Sequence, residues 1–263
     1  MTSADVRALS SRTNPLLQRV RRLARGGTAY RKEHEFWLEG EHLCSAVRAH
    51  GRTASHAIVT ESAWQQPGLR ALAGHAAQVA CIADTLFADL SALESPGQGI
   101  GFVCPLDETL PIAADAPTLV LDRVQDAGNV GSLLRSAAAL GFTQVLALEG
   151  SAGLWSPKVL RAGMGAHFGL RLVEGLVPAA LEVLTVPLLA ASAHAELALH
   201  EARLPYPCAW VLGHEGQGVA PALEARCAKV LRIPQPGGGE SLNVAAAGAI
   251  CLYATRQSAG WPP

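Results

Sequence analysis

Three short stretches carry residues whose types and spacing suit chemistry. The first reads QDAGNVGSLLRSAAALGF: Asn129 stands just ahead of a helical run, Gly131 follows closely, and Arg135 lies inside the run. Glycine lets a backbone approach a ligand, a helix N-terminus favours anions, and the guanidinium of Arg135 is a rigid fork suited to phosphate. The second, LGHEGQGVAP, sets Gly213, Gly216 and Gly218 around Glu215, where a merely structural turn would hold Asn, Asp or Ser as readily. The third, IPQPGGGESLNVAAAGAICLYATRQ, spans 233–257. Pro234 and Pro236 stop a strand there, Gly237, Gly238 and Gly239 permit unusual dihedrals, and Ser241 or Asn243 can cap a helix. Taken singly, each stretch has an ordinary explanation: a capped helix with a surface arginine, a glycine-rich connection, a helix cap. None accounts for the run Ala245, Ala246, Ala247, Gly248, Ala249, whose small side chains let another backbone press close.

The elements that must position these stretches alternate. Apolar runs TLVLDRV, QVLALEG, VPLLAAS, CAWVLG and AKVLRIP are separated by helical stretches GNVGSLLRSAAALG, SPKVLRAGMG, VAPALEARC and LNVAAAGAICLYATRQ. Continuous Val/Leu strands between helices imply a parallel sheet covered on both faces, with ligands in the loops beyond the strands' carboxyl ends. All three stretches follow such strands. Before them, NPLLQRVRRLA reads as a helix with Asn14 as cap and Pro15 at its first position. GEHLCSAVRAHG reads as a helix ending at Gly51, and HAIVT and QVACIA as short strands. The segment LESPGQGIGFVCPLDETLPIAADAP lacks sustained periodicity and reads as a connection. The expected organisation is a small α/β domain over 1–105, a linker over 106–116 and a larger α/β domain over 117–263.

Composition excludes several classes. With 49% hydrophobic and 16% charged residues the chain is globular rather than disordered. Seven basic residues and no acid lie between Arg12 and Lys32: Arg12, Arg19, Arg21, Arg22, Arg25, Arg31 and Lys32. They form either a solvated helix face or a footprint for a polyanion such as RNA. Cysteines 44, 81, 104, 208, 227 and 251 form no C-x-x-C pair, and neither they nor the nine histidines show a metal spacing. No metal is expected, and the cysteines read as buried small hydrophobes of a reducing compartment. The start lacks the apolar core of a signal peptide, and LVPAALEVLTVPLLAASA is broken by Pro178, Glu182 and Pro187. That stretch reads as a short helix and a buried strand, so no membrane association and a cytoplasmic location are expected. No dinucleotide-binding glycine fingerprint, P-loop or nucleophile elbow is present.

In order and together, the three loops resemble the motifs of the SpoU-type (TrmH) family of RNA 2′-O-ribose methyltransferases, within the SPOUT superfamily. NVGSLLRSAAALGF is similar to motif 1, WVLGHEGQGV to motif 2 and LRIPQPGGGESLNVAAAGAICLYATRQ to motif 3. EFWLEGEHLCSAVRAHG and SPGQGIGFV fall where the family's ribosomal-protein-like substrate-binding domain carries Glu-Gly and Gln-Gly-Ile signatures. The resemblance implies a knotted parallel-sheet (trefoil-knot) C-terminal domain with a smaller N-terminal α/β substrate-binding domain. It implies a homodimer, and S-adenosylmethionine bound bent inside the knot, where glycine is needed because backbones and ligand nearly touch.

By that resemblance Asn129, Arg135, Glu215, Ser241 and Asn243 form the catalytic set. Arg135 would touch RNA and activate the 2′-OH, either by accepting its proton or by holding phosphate and hydroxyl in line. The cofactor would rest on Leu212, Gly213, His214, Gly216, Gly218, Ile233, Gln235, Ser241 and Leu242. His214 stands where many members carry Asn, and Gln235 where the family often has Met. Arg19, Arg21, Arg22, Arg25 and Arg135 would contact a structured RNA, with ribosomal RNA the first expectation and transfer RNA the second. A non-catalytic RNA-binding or ribosome-assembly factor of the same fold is the alternative from another class.

Overall fold

A computed structural model of the protein describes residues 6–91, 98–107, 110–237 and 242–260. Contacts divide the chain into two compact units, Met1–Glu108 with Trp155–Phe168, and Thr109–Leu154 with Gly169–Pro263. The expected division at 106–116 therefore misses one feature: Trp155–Phe168, within 117–263 in sequence, packs with the first unit. The reason is aromatic and apolar packing. The Trp155 ring lies 4.7 Å from that of Phe36, the Arg52 guanidinium sits over Phe168, and Leu160 is buried in the first unit's core.

The first unit runs β1 (Val6–Leu9), α1 (Pro15–Arg25), α2 (Ala29–Glu33), β2 (Glu35–Glu39), α3 (Glu41–Ala49), β3 (Ala54–Thr60), α4 (Glu61–Trp64), α5 (Pro67–Ala73), β4 (Ala76–Ile82), α6 (Asp84–Leu90) and β5 (Ile100–Pro105). Asn14 caps α1 as the sequence predicts, accepting from the Leu16 N–H at 2.9 Å. The strands order β1-β4-β3-β5-β2, with β5 antiparallel to both neighbours. β5 corrects the reading of its region as a connection. Its residues from Ile100 to Cys104 are all buried, so no alternation marks it between the flanking Gly and Pro residues.

The second unit follows with β6 (Thr118–Asp122), α7 (Ala127–Ala139), β7 (Gln144–Leu148), β8 (Arg171–Leu176), β9 (Leu188–Ala191), β10 (Ala209–Gly213), β11 (Lys229–Leu231) and the final helix over Val244–Ala259; the Trp155–Phe168 segment contributes α8 (Pro157–Gly163) to the first unit, and α9 (Pro221–Glu224) is a single turn, so the final helix is α10. Every pairing in this sheet is parallel, in the order β11-β9-β10-β6-β7-β8. β6, β7 and β10 are buried along their whole lengths, which is why they read as unbroken apolar runs. β8 escaped the reading because Glu174 and Gly175 interrupt its apolar residues.

Strand order changes direction at β6: β7 and β8 lie to one side, β10, β9 and β11 to the other. Asp122 at the end of β6 is level with Gly213 at the end of β10, so the loops after these strands emerge side by side. The chain then passes from β11 to α10, which packs on α7 and β10. A Cβ added to Gly248 would come within 2.3 Å of a Leu133 methyl and 2.7 Å of a Leu212 methyl. That contact accounts for the glycine within the small-residue run. No helix among the described residues is long and apolar enough to cross a membrane.

Candidate active site

The site is built on two helix starts and one loop of the second unit. α7 begins at Ala127, not after Asn129, because Asp126 caps it by accepting the Asn129 N–H at 2.7 Å. Asn129 is thus in the first helical turn, and its side chain is free to face outward. Its Nδ2 donates to Glu215 Oε1 at 3.2 Å, and its Oδ1 accepts from Asn243 Nδ2 at 2.8 Å. Asn243 meanwhile caps α10, its Oδ1 accepting from the Ala245 and Ala246 N–H groups. One residue from each sequence motif therefore enters a single hydrogen-bonded chain.

Glu215 completes this chain by reaching across to the loop after β6. It accepts from the Asp126 N–H at 3.3 Å and, at the limit of hydrogen-bond distance, from the Gln125 N–H at 3.5 Å. Burial raises the carboxyl pKa. Its own backbone N–H, the Asn129 amide and the N–H groups of Asp126 and Gln125 together lower it further, so the net displacement is downward. Glu215 is therefore an anion that organises donors around it, and a weak base.

The loop carrying it is tight. Gly218 N–H donates to the His214 carbonyl at 2.8 Å, and His214 Nδ1 accepts from the Gly216 N–H at 3.0 Å. His214 thus supplies the side-chain acceptor that an Asn at this place could also supply. A side chain at Gly213 is impossible: its Cβ would stand 2.1 Å from the backbone of Gly218 and Val219. Gly218 has φ +69°, the left-handed region that favours glycine.

Other predicted residues fall as follows. Leu212 is buried in β10, Ile233 and Gln235 are half-buried after β11, and Leu242 is exposed just before α10. Ser241, Gly238 and Gly239 lie outside the described residues. Arg135 is exposed on α7, about 9 Å along the axis from Asn129 and about 120° round it. Its guanidinium has no hydrogen bond to Asn129, Glu215 or Asn243 among the described residues. An open groove of about 880 Å³ lies beside the third loop, lined in part by Leu140, Ile233, Pro234, Ile250 and Tyr253.

The basic stretch of the first unit is less free than its sequence suggests. Arg22 pairs with Glu33 at 2.9 Å, Arg12 with Asp89 at 2.8 Å, and Arg19 lies 3.2 Å from Glu35. Arg25 donates to the Asp89 carbonyl. These acids lie outside the basic run or just past its end, so the apparent charge of seven is partly cancelled. Arg21 is half-buried, with no ion pair among the described residues.

Burial disfavours thiol chemistry at three of the cysteines. The cysteines are free thiols, and burial pushes Cys104, Cys208 and Cys251 up to about 12, far from a nucleophilic thiolate. Cys81 and Cys227 are only partly buried, a departure from the expectation that all six are core residues. Among the described residues no cluster of His, Cys, Asp and Glu is arranged to hold a metal ion. Sequence reasoning missed Asp122, Arg123 and Asp126. The signal was available for Asp122, a lone acid ending an otherwise apolar buried strand.

Comparison with known proteins identifies the family. The family model described as the SpoU rRNA Methylase family matches residues 116–253. An uncharacterized tRNA/rRNA methyltransferase of Synechocystis sp. is 32% identical over 97% of this chain and 95% of its own length. The 23S rRNA (guanosine(2553)-2′-O)-methyltransferase RlmP of Bacillus subtilis is 29% identical over 86% of this chain and 90% of its own. A crystal structure of an RNA 2′-O ribose methyltransferase superposes with a TM-score of 0.80 at 27% identity, covering 96% of this chain and 99% of that one. The fold is the knotted parallel-sheet SPOUT class with a smaller N-terminal α/β domain, and the chain belongs to the SpoU rRNA Methylase family.

Proposed function

We propose that the protein transfers a methyl group from S-adenosylmethionine to a ribose 2′-OH of ribosomal RNA. The observation that carries this reading is the meeting of Asn129, Glu215 and Asn243, one from each motif, beside the carboxyl ends of β6 and β10. The ribosomal substrate is supported by the activity of the Bacillus subtilis relative.

The residues present fit the cofactor. Ile233 and Leu242 offer apolar surface on either side of the third loop, and a Cβ on Gly237 would meet nothing within 4 Å, so the backbone there is open to a ligand. Leu212, Gly213, His214, Gly216, Gly218, Ile233, Gln235, Ser241 and Leu242 would hold it, and its sulfonium supplies an electrophilic methyl group. The chain's own task is to align the ribose hydroxyl and manage its proton. Glu215, ionised and already accepting several hydrogen bonds, orients Asn129 and the loop backbone. Arg135 is the cation that holds phosphate and hydroxyl in line, since a guanidinium offers five donors and no acceptor.

The protein works as a homodimer in the cytoplasm. Ile250 and Tyr253 on α10 are 40% and 50% exposed beside the apolar groove, a surface that a second copy would cover. The first unit binds structured RNA through Arg21 and through those of its neighbours Arg19, Arg22 and Arg25 that exchange carboxylate or carbonyl for phosphate. The test begins with calorimetric titration of S-adenosylmethionine, followed by mapping 2′-O-methyl positions in total RNA from cells with and without the gene. Cofactor binding and loss of one ribosomal position are expected; absence of cofactor binding would overturn the reading.

A further inference from the structure

Asp122 and Arg123 take no part in the chemistry described so far, yet they occupy the seam between the first two loops. Asp122 is the last residue of β6 and only 3% exposed, a buried carboxylate at the level of Gly213. It is fully engaged. Oδ1 accepts from Arg123 Nε at 3.0 Å, while Oδ2 accepts from Arg123 Nη2 at 3.1 Å and from the Ala220 N–H at 2.7 Å. The guanidinium lies bidentate on its neighbour's carboxylate. Arg123 has φ +59°, in the left-handed region that non-glycine residues avoid.

The rest of the guanidinium reaches the loop after β10. Nη1 donates to Gln217 Oε1 at 2.9 Å and Nη2 to the Gly218 carbonyl at 3.3 Å. Three residues of that loop's far limb, Gln217, Gly218 and Ala220, are thus held by the Asp122–Arg123 pair. Glu215 on the near limb is held by the Gln125 and Asp126 N–H groups and by Asn129. The two loops are stitched in both directions, and the stitches enclose the turn His214–Gly218.

We infer that Arg123, fixed by Asp122, is a positioning residue that sets the loop 214–220 and with it the Glu215 carboxylate and the cofactor-contacting backbone. The inference rests on the function proposed above for that loop. A left-handed backbone at a non-glycine residue persists where its surroundings over-determine it. Here four hydrogen bonds from one guanidinium do so. A lysine cannot reproduce them, because a point ammonium lacks the planar fork.

The experiment compares wild type, Arg123→Ala, Arg123→Lys and the milder Gln217→Ala, which removes one stitch from an exposed side chain. Amide hydrogen exchange on the ligand-free protein is read at Gly218 and Ala220 against the β6 and β10 amides. S-adenosylmethionine affinity is then read by calorimetry, and kcat and KM for RNA by methyl transfer. Arg123→Ala should speed exchange at Gly218 and Ala220 at least tenfold while the strands stay protected. It should also weaken cofactor binding and lower kcat about tenfold or more, with KM for RNA unchanged. Arg123→Lys should recover little, and Gln217→Ala should shift the same readouts less. Wild-type exchange and kcat within twofold in Arg123→Ala, or equal loosening of loop and strands in both Arg123→Ala and Gln217→Ala, would overturn the inference. A wild-type protein that binds no cofactor would instead overturn the function on which it rests, while the exchange result still judges the clasp.

Discussion

In the second unit, Asn129 and Asn243 stand 114 residues apart in sequence and hydrogen-bond to each other, with Glu215 joined to the first. In the first unit, arginines within one helix are drawn away from one another, toward Glu33, Glu35 and the Asp89 region. What positions the residues makes the difference. A parallel sheet aims the carboxyl ends of all its strands at one edge, so polar residues in the loops there are forced to meet. A helix fans its residues round a cylinder: Arg19, Arg21, Arg22 and Arg25 spread over about 160° of α1, and three of them are drawn to separate acceptors. A charge run on a helix is therefore not yet a charged patch.

The largest effect should come from the second unit's exposed guanidinium. Arg135→Ala is expected to lower methyl transfer about 10²–10⁴-fold while calorimetry finds cofactor affinity unchanged. Full activity in this variant would remove Arg135 from the catalytic set and leave the loop cluster as the whole site. Next comes Glu215→Gln, which keeps the shape and removes the charge. Losing charge-assisted hydrogen bonds should reduce kcat about 10-fold to 100-fold.

The pH dependence follows from the same carboxylate. Its folded pKa lies below the ordinary 4.5, so its ordering effect is fully present above 4.5 and is lost as pH falls through the lowered value. Between about pH 5 and pH 8 the activity profile should carry no limb from Glu215. A limb in that window that disappears in Glu215→Gln would show that the carboxyl titrates as a working base.

The smallest effect sharpens the other half of the comparison. Arg21→Ala should lower the slope of log affinity for RNA against log salt by about one, whereas Arg22→Ala should lower it less, because RNA must first displace Glu33. Fluorescence anisotropy across a salt series checks this. Equal reductions would mean that the ion pairs open freely on binding and that the run acts as the patch its sequence suggests.

Legibility in the sequence followed the same division. Unbroken apolar runs marked β6, β7, β9, β10 and β11, and the glycines and polar residues after them marked the loops that converge. β5 and β8 were hidden, one by burial of nearly all its residues and the other by Glu174 and Gly175. Asp126 was overlooked as the cap of α7 because Asn129, an equally good cap by type, stood three residues on. Nothing in the residues of α8 indicates which core it joins. The partners of the arginines could not be read at all, since an ion pair between Arg12 and Asp89 depends on how the chain returns, not on local pattern.

Gly248 has a consequence for the machinery at the start of its helix. Where an added carbon would strike Leu133 and Leu212, the final helix is seated like a key in a lock whose wards belong to α7 and β10. Rotation about its axis or sliding along it would drive a neighbouring side chain into that notch. Asn243 sits about 7.5 Å away along the same axis. The alignment of its carboxamide with Asn129 is therefore indexed by a contact between hydrocarbon surfaces more than a full helical turn behind it.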